Sequence, residues 1–371
     1  MTQEHQAIWR SNLIVSDIPW EYYLHPCPIF YAEELSIYGP TLWINPPTRN
    51  PKKTKFLRKN KNLAIFTPLI LKRSGKDSGF GKLEVKLQTR LVTSLFLGSP
   101  SSVWSISTAY NHLVKENPSA CSIFWSGDFF CPEKEYKTYK NYDLVLCLTP
   151  RTHQEIPQAF SGAKIHFHMC SQLSERKEDS DTFHESPVLC RNIHNSKKVV
   201  GYVGTLSDRR LDFDLLFYLI DELTEISFLI VGVGDGTEST SAKINLLKKK
   251  QNVQLIEGME YNQLPKVISK FDLGLIPYKT DKANIGTSPT KFLDYSSMGK
   301  PTISTNLPGL EKFGKLISIA ESKDEFLHLV ENFHCDNSAK PQTLKDFANR
   351  SSPAAFLEKI KSSLIQNHLK S

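Results

Sequence analysis

The chain has 371 residues, 40% hydrophobic and 23% charged, with a formal net charge of +7. That composition excludes a disordered or fibrous chain, and the length exceeds one ordinary core, so two α/β domains are expected. No apolar run approaches the roughly 18 residues needed to span a bilayer, the polar start MTQEHQAIWR has no secretory h-region, and the seven cysteines show no CxxC spacing, which disfavours a disulfide framework or zinc site and fits a cytoplasmic protein.

In chain order, "SNLIVSD", "TLWINPP" and "NLAIFTP" read as strands. "LEVKLQTRLVTSLFLG" has the apolar spacing of a helix, at Val85, Leu87, Leu91 and Leu95 among others. "SVWSIS", "CSIFWSGD" and "YDLVLCLT" are further strands, "PRTHQEIPQAF" a helix broken by Pro157, and "KIHFHM" a strand. Strands alternating with crossovers predict a parallel sheet covered by helices. Between Arg49 and Arg90 stand thirteen Lys or Arg against two acids, Asp77 and Glu84. This is either a solvated basic face or a surface for anionic lipid head groups or a phosphate-bearing acceptor. Nucleic acid is not expected, since no finger spacing or RNP-like motif accompanies the charge.

From Ser171 to Lys198 the sequence turns polar and aperiodic, which places a linker between two domains. The expected organisation is 1–170, a linker or surface loop over 171–198, a second domain over 199–340, and a tail helix over 341–371 returning to the first domain. The second half alternates cleanly: strands "VVGYVGTL", "SFLIVGVGDG", "NVQLIEGM", "DLGLIPYK" and "KPTIST" with helices "DFDLLFYLIDEL", "YNQLPKVISKF" and "SPTKFLDYSSMG".

In open parallel sheets ligands sit at the carboxyl ends of the strands. Ser288 suits an N-cap and Pro289 the first helical position, so a helix starting there aims free N–H groups at an anion. Lys291 in its first turn adds a charge suited to a diphosphate. Asp294, one turn on, is placed to accept hydrogen bonds from ribose hydroxyls. The bland alternative is an ordinary capped helix with a solvated Lys and Asp. Gly232 and Gly234 form a G-x-G after a strand, but the run does not complete G-x-G-x-x-G, so a dinucleotide site is weakly supported.

The run "FDLGLIPYK…TSPTKFLDYSSMGKPTIST" resembles the donor site of GT-B glycosyltransferases, particularly the retaining family 4 and its relatives in surface-polysaccharide synthesis. The resemblance implies two Rossmann-like doubly wound domains facing a central crevice, an acceptor-binding N-terminal domain and a nucleotide-sugar-binding C-terminal one. By its register Asp294 holds the ribose, Thr287 and Ser288 line the donor site, and Gly286 stands where the family carries a Glu. In "VGYVGTLSDRRLDFDLL", Gly204 marks the family's glycine turn, Thr205 replaces its Arg, and Arg210 takes its Lys position; Arg209 and Arg210 also fit a plain surface. Gly232 and Gly234 border the sugar nucleotide, and Met259 and Tyr261 face the nucleobase.

The first half carries no named motif. Asp128, ending a strand, is a candidate general base or sugar-binding carboxylate, with a turn-capping Asp at least as good a reading. His166 and His168 alternate on one strand without a third ligand, so no metal is assigned. The expected activity is transfer of a sugar from a UDP- or GDP-type nucleotide-diphosphate donor to a glycan or lipid-linked acceptor, with Arg210 and Lys291 stabilising the leaving group and no further cofactor. The alternatives are a catalytically degenerate binding module and a sugar-nucleotide epimerase. The expected location is the cytoplasm, peripheral on the inner face of the membrane through residues 49–90.

Overall fold

The computed structural model describes residues 8–21, 27–71, 79–106, 111–126, 132–147, 150–166, 198–281, 284, 290–308, 310–333 and 339–368. The chain forms two compact units, Met1–His168 with Pro353–Ser371, and Met169–Ser352.

The first unit holds strands β1 (Asn12–Val15), β2 (Thr41–Ile44), β3 (Lys55–Arg58), β4 (Leu63–Thr67), β5 (Ser102–Ser105), β6 (Cys121–Trp125), β7 (Leu144–Cys147) and β8 (Ala163–His166). They form one sheet in the order β3-β4-β2-β1-β5-β6-β7-β8. Each pairing is parallel except β3 with β4. Helices α1 (Cys27–Tyr38), α2 (Gly79–Phe96), α3 (Asn111–Glu116), α4 (Pro132–Tyr139) and α5 (Pro150–Glu155) complete its N-terminal stretch. "NLIV", "TLWI" and "LVLC" are buried throughout, as expected of strands covered on both faces.

Two of these elements escape pattern reading. α1 buries Cys27, Ile29, Phe30, Tyr31, Ala32 and Leu35, which run nearly all round the helix and leave no stripe. β3 is an exposed edge strand, "KFLR", that reads as a loop from its charge. The helix α2 forms as its spacing suggests, but its apolar positions split between two faces. Val85 is buried, whereas Leu87, Leu91 and Leu95 are exposed.

The second unit holds β9 (Val199–Val203), α6 (Phe213–Glu222), β10 (Ser227–Val231), α7 (Glu238–Leu247), β11 (Val253–Ile256), α8 (Leu264–Ile268), β12 (Leu273–Ile276), α9 (Thr290–Ser297), β13 (Thr302–Thr305), β14 (Ser318–Ala320), α10 (Lys323–Glu331) and α11 (Pro341–Arg350). Its sheet runs β11-β10-β9-β12-β13-β14 and is parallel throughout. The order reverses between β9 and β12, and that switch point is where a doubly wound sheet opens for a ligand.

Sequence sets this opening directly. β9 and β12 pair only through Leu273 with Val200 and Gly274 with Gly201. A Cβ on Gly201 would meet the Phe271 ring at 2.2 Å, and one on Gly274 the Tyr295 ring at 2.4 Å. The two glycines therefore admit an aromatic pair, Phe271 and Tyr295, packed edge-on at 5.9 Å. Beyond the glycines the Tyr295 hydroxyl accepts from the Val203 amide at 2.9 Å and donates to the Leu275 carbonyl at 3.4 Å. One α9 side chain thus bridges the parting strands and fixes α9 over the switch point.

The tail differs from a single returning helix. α11 packs on α9 within the second unit, with the Phe347 ring tilted 5.6 Å from Phe292 and edge-on 5.4 Å from Phe313. Ser351, Ser352 and Pro353 interrupt the helix, since proline cannot continue an i→i−4 ladder. A separate helix α12 (Pro353–His368) belongs to the first unit, where Phe356 packs edge-on against Tyr31 of α1.

Candidate functional site

The second unit gathers its chemistry at the carboxyl ends of β9 and β12. β9 is followed by Gly204, whose φ of 146° is a left-handed value that favours glycine. β12 runs out through Pro277 into Tyr278. Lys291, in the first turn of α9, reaches between them. Its ammonium donates to the Tyr278 hydroxyl at 2.5 Å and lies 5.0 Å from the Tyr278 ring and 5.4 Å from the Tyr202 ring. Two aromatic faces hold the cation without neutralising it, because ring quadrupoles attract charge but carry none. The lysine stem rests on bare backbone: a Cβ on Gly204 would lie 2.3 Å from Lys291 Cε.

Tyr202 is fully buried, and its hydroxyl donates to the Thr205 carbonyl at 2.9 Å. Burial first, then the phenols of Tyr278 and Tyr295, push its ionisation well above the ordinary range, while the Arg210 guanidinium pulls the other way. Arg210 is half-buried, unlike exposed Arg209. Its backbone is pinned, since the Arg210 carbonyl accepts from the Lys279 amide at 2.9 Å and from Asn284 Nδ2 at 3.1 Å. The preceding loop is clamped by Asp208, which accepts from Lys243 at 2.5 Å, Ser239 at 2.7 Å and Lys279 Nζ at 3.2 Å. The Lys243 hydrogen bond, then that of Ser239, holds the Asp208 carboxyl well below the usual carboxylate range.

The glycines knit neighbouring loops together. Gly232, after β10, has no room for a side chain, since its Cβ would lie 2.1 Å from the Gly204 carbonyl oxygen. Gly234 pairs with Leu206 in an isolated parallel bridge. Met259, after β11, packs on the core, as does Tyr261. The Tyr261 hydroxyl donates to Asp294 Oδ1 at 2.8 Å, and Asp294 is only 7% exposed. Lys291 and Asp294 thus leave one helix toward different partners, the first to β9 and β12, the second to the segment after β11.

The structure brings together Gly204, Thr205, Arg210 and Lys291 around Tyr202 and Tyr278, sets Gly232 against Gly204, and pairs Asp294 with Tyr261. Asp128, Thr287, Ser288, Gly286, Pro289 and His168 lie outside the described residues, and α9 is described from Thr290. Among the described residues no three His, Cys, Asp or Glu side chains converge on a cation site. Sequence reasoning missed Tyr202, Tyr278 and Tyr295. "VGYVG" and "IPYK" carry each of the first two as an ordinary strand aromatic, and only the fold puts both beside one lysine.

The fold is that of GT-B proteins. Over 96% of its length it superposes on 99% of a trehalose-6-phosphate synthase with a TM-score of 0.70 at 12% identity. A sucrose-phosphate synthase from Thermosynechococcus elongatus gives a TM-score of 0.68 at 10% identity, over 96% of this chain and 100% of that one. An Anabaena protein solved with UDP and glucose gives 0.65 at 12% identity, over 96% and 99%. The second unit is more closely placed: residues 197–332 match the family model for glycosyl transferases group 1. A putative teichuronic acid biosynthesis glycosyltransferase from Bacillus subtilis (strain 168) is 24% identical over 189 residues, 49% of this chain and 45% of that relative. The match thus spans less than half of the relative's length.

Proposed function

We propose that this chain transfers a sugar from a UDP-type nucleotide-diphosphate donor to a glycan or lipid-linked acceptor in surface-polysaccharide synthesis. The observation that carries the reading is Lys291, an ammonium held by aromatic faces at the β9/β12 switch point, with Arg210 on the adjoining loop, its carbonyl pinned by Lys279 and Asn284. Cationic side chains and helix N-termini at the end of an opened sheet stabilise the charge that a diphosphate leaving group develops. Structural neighbours solved with UDP and glucose, or named as UDP-forming, favour uridine over guanosine in the donor. The teichuronic acid relative favours a surface glycan as acceptor class.

In this reading the bond from the anomeric carbon to the diphosphate oxygen breaks, and an acceptor hydroxyl oxygen bonds that carbon and gives up its proton. The nucleoside diphosphate leaves with its new charge facing Lys291 and Arg210. Asp294 holds the ribose hydroxyls, steadied by Tyr261, and Met259 borders the base. Gly204, Gly232 and Gly234 let backbone approach the donor. Thr287 and Ser288 line the same site, and Asp128 is the proposed base. No cofactor beyond the donor enters. The acceptor is reached at the inner face of the membrane, with the basic stretch 49–90 facing anionic lipid; among the described residues no helix is long and apolar enough to cross it.

The test is turnover of UDP-, GDP- and dTDP-sugars with lipid-linked and glycan acceptors. Consumption of a UDP-sugar with transfer to acceptor supports the proposal. Glycan binding without turnover points to a degenerate module, which Thr205 in place of a family Arg would suit. Conversion of free donor without acceptor points to an epimerase.

A further inference from the structure

We infer that α2 is a membrane-inserting helix: its outer face carries a leucine ridge that enters the interface of an anionic bilayer, while basic residues beside it meet the lipid phosphates. The inference rests on the membrane reading above, not on the transfer chemistry.

α2 is attached to its sheet by Val85, Thr89 and Thr93, all buried, with Val92 and Phe96 against the same core. On the opposite side stand Leu83, Leu87, Leu91 and Leu95, exposed by 47%, 57%, 60% and 79%. Fourth-residue spacing advances each leucine by about 40° around the helix, so the four form one slowly winding ridge. Leu71 and Phe56 are exposed as well, by 58% and 48%. Scattered surface leucines need no explanation, but a continuous row on one helix marks a surface made for an apolar partner.

The charge beside the ridge selects the partner. Phe56 on β3 packs 5.7 Å from Phe96, at the end of α2, and the Arg58 guanidinium lies 5.7 Å from the same ring. The basic edge of the sheet therefore meets the C-terminal end of the helix that carries the ridge. Lys52, Lys53, Lys59 and Lys61 are exposed at the two ends of β3, and Arg90 is exposed on α2 itself. A second copy of the chain would satisfy the leucines, but an isologous contact would set these cations against their own copies. An anionic bilayer meets both demands, as an amphipathic helix lying in the interface does.

The experiment is co-sedimentation of the full chain with phosphatidylcholine vesicles, with and without phosphatidylglycerol, across a salt series. Two variants accompany wild type: Leu87→Gln/Leu91→Gln/Leu95→Gln, and Lys52→Gln/Lys53→Gln/Lys61→Gln/Arg90→Gln. Every substituted residue is exposed, so circular dichroism and melting temperature should match wild type. Wild type should bind anionic vesicles and keep a salt-resistant fraction at 1 M, where screening has shortened to about 3 Å. The leucine variant should lose about tenfold or more in partitioning at high salt. The charge variant should lose the salt-sensitive part. A Leu91→Trp reporter should shift its emission to the blue on adding vesicles. Leucine-variant binding equal to wild type, with no blue shift, overturns the inserted ridge while leaving an electrostatic membrane contact standing. Wild type that ignores anionic vesicles overturns the ridge and the membrane reading together, whatever the turnover assay gives. Concentration-dependent dimerisation that the leucine changes abolish, without vesicle binding, would identify a second copy as the occupant and equally overturn it.

Discussion

Lys291 lies along the backbone of Gly204, so closely that a Cβ on the glycine would sit 2.5 Å from the lysine ammonium. The glycine turn after β9 and the first turn of α9 are therefore one device. The turn needs glycine for its φ of 146°, and the lysine needs glycine for its path.

Gly204→Ala should consequently do two things at once. Backbone strain should cost about 1–3 kcal/mol of stability, and displacement of Lys291 should weaken UDP. Gly236 supplies the control, since its φ is 80° but nothing lies within 4 Å of an added Cβ. Gly236→Ala should lose stability and keep UDP affinity. Equal UDP affinity in both variants, by calorimetry, would show that Gly204 serves the fold alone.

The charge of Lys291 makes a second expectation. Lys291→Ala removes a charge-assisted contact of about 1.5–3 kcal/mol to a diphosphate, so UDP affinity should fall by roughly tenfold or more while uridine affinity barely changes. A matching loss for both ligands would remove Lys291 from the phosphates.

Asp294 is tested through its sugar. Asp294→Asn should weaken UDP more than 2′-deoxy-UDP, and Tyr261→Phe should repeat the effect more mildly, because it removes one hydrogen bond that orients the carboxylate. Indifference of the Asp294 variant to the 2′-hydroxyl would cancel the ribose role.

What could be read from the chain alone follows from period and punctuation. "VVGYV" and "SFLIV" are runs of apolar residues closed by glycine, and they became buried parallel strands. α1 and α7 (Glu238–Leu247) were invisible for opposite reasons, the first being apolar nearly all round and the second burying only Thr240 and Leu247. At the site, Lys291 and Asp294 were legible because a helix start and a one-turn spacing are local features. The tyrosines were not. Tyr202 and Tyr278 are 76 residues apart and meet only because the strand order reverses between β9 and β12. Likewise, the spacing of α2 announced a helix but not which of its apolar residues would be buried, since that depends on what the sheet covers.

Asp208 gives a prediction in pH. Its carboxylate ties Lys243 of α7 and Lys279 after β12 to the loop that carries Arg210. Those hydrogen bonds lower its folded pKa below the usual value, near 3.9 in an unfolded chain. A depressed carboxylate contributes stability above the unfolded pKa and loses it as pH falls through that value toward the folded one. The side chain is 25% exposed, so the contribution is held to about 1 kcal/mol after solvent screening. Asp208→Asn should therefore be less stable than wild type at pH 7, and the gap should shrink progressively below about pH 4. Urea unfolding of both proteins from pH 7 to 3 measures it, with UDP affinity at pH 7 as a second readout of the loosened Arg210 loop. A gap that stays constant with pH would mean that the carboxylate's ionisation is not what binds the loop, and that its hydrogen bonds survive in the amide.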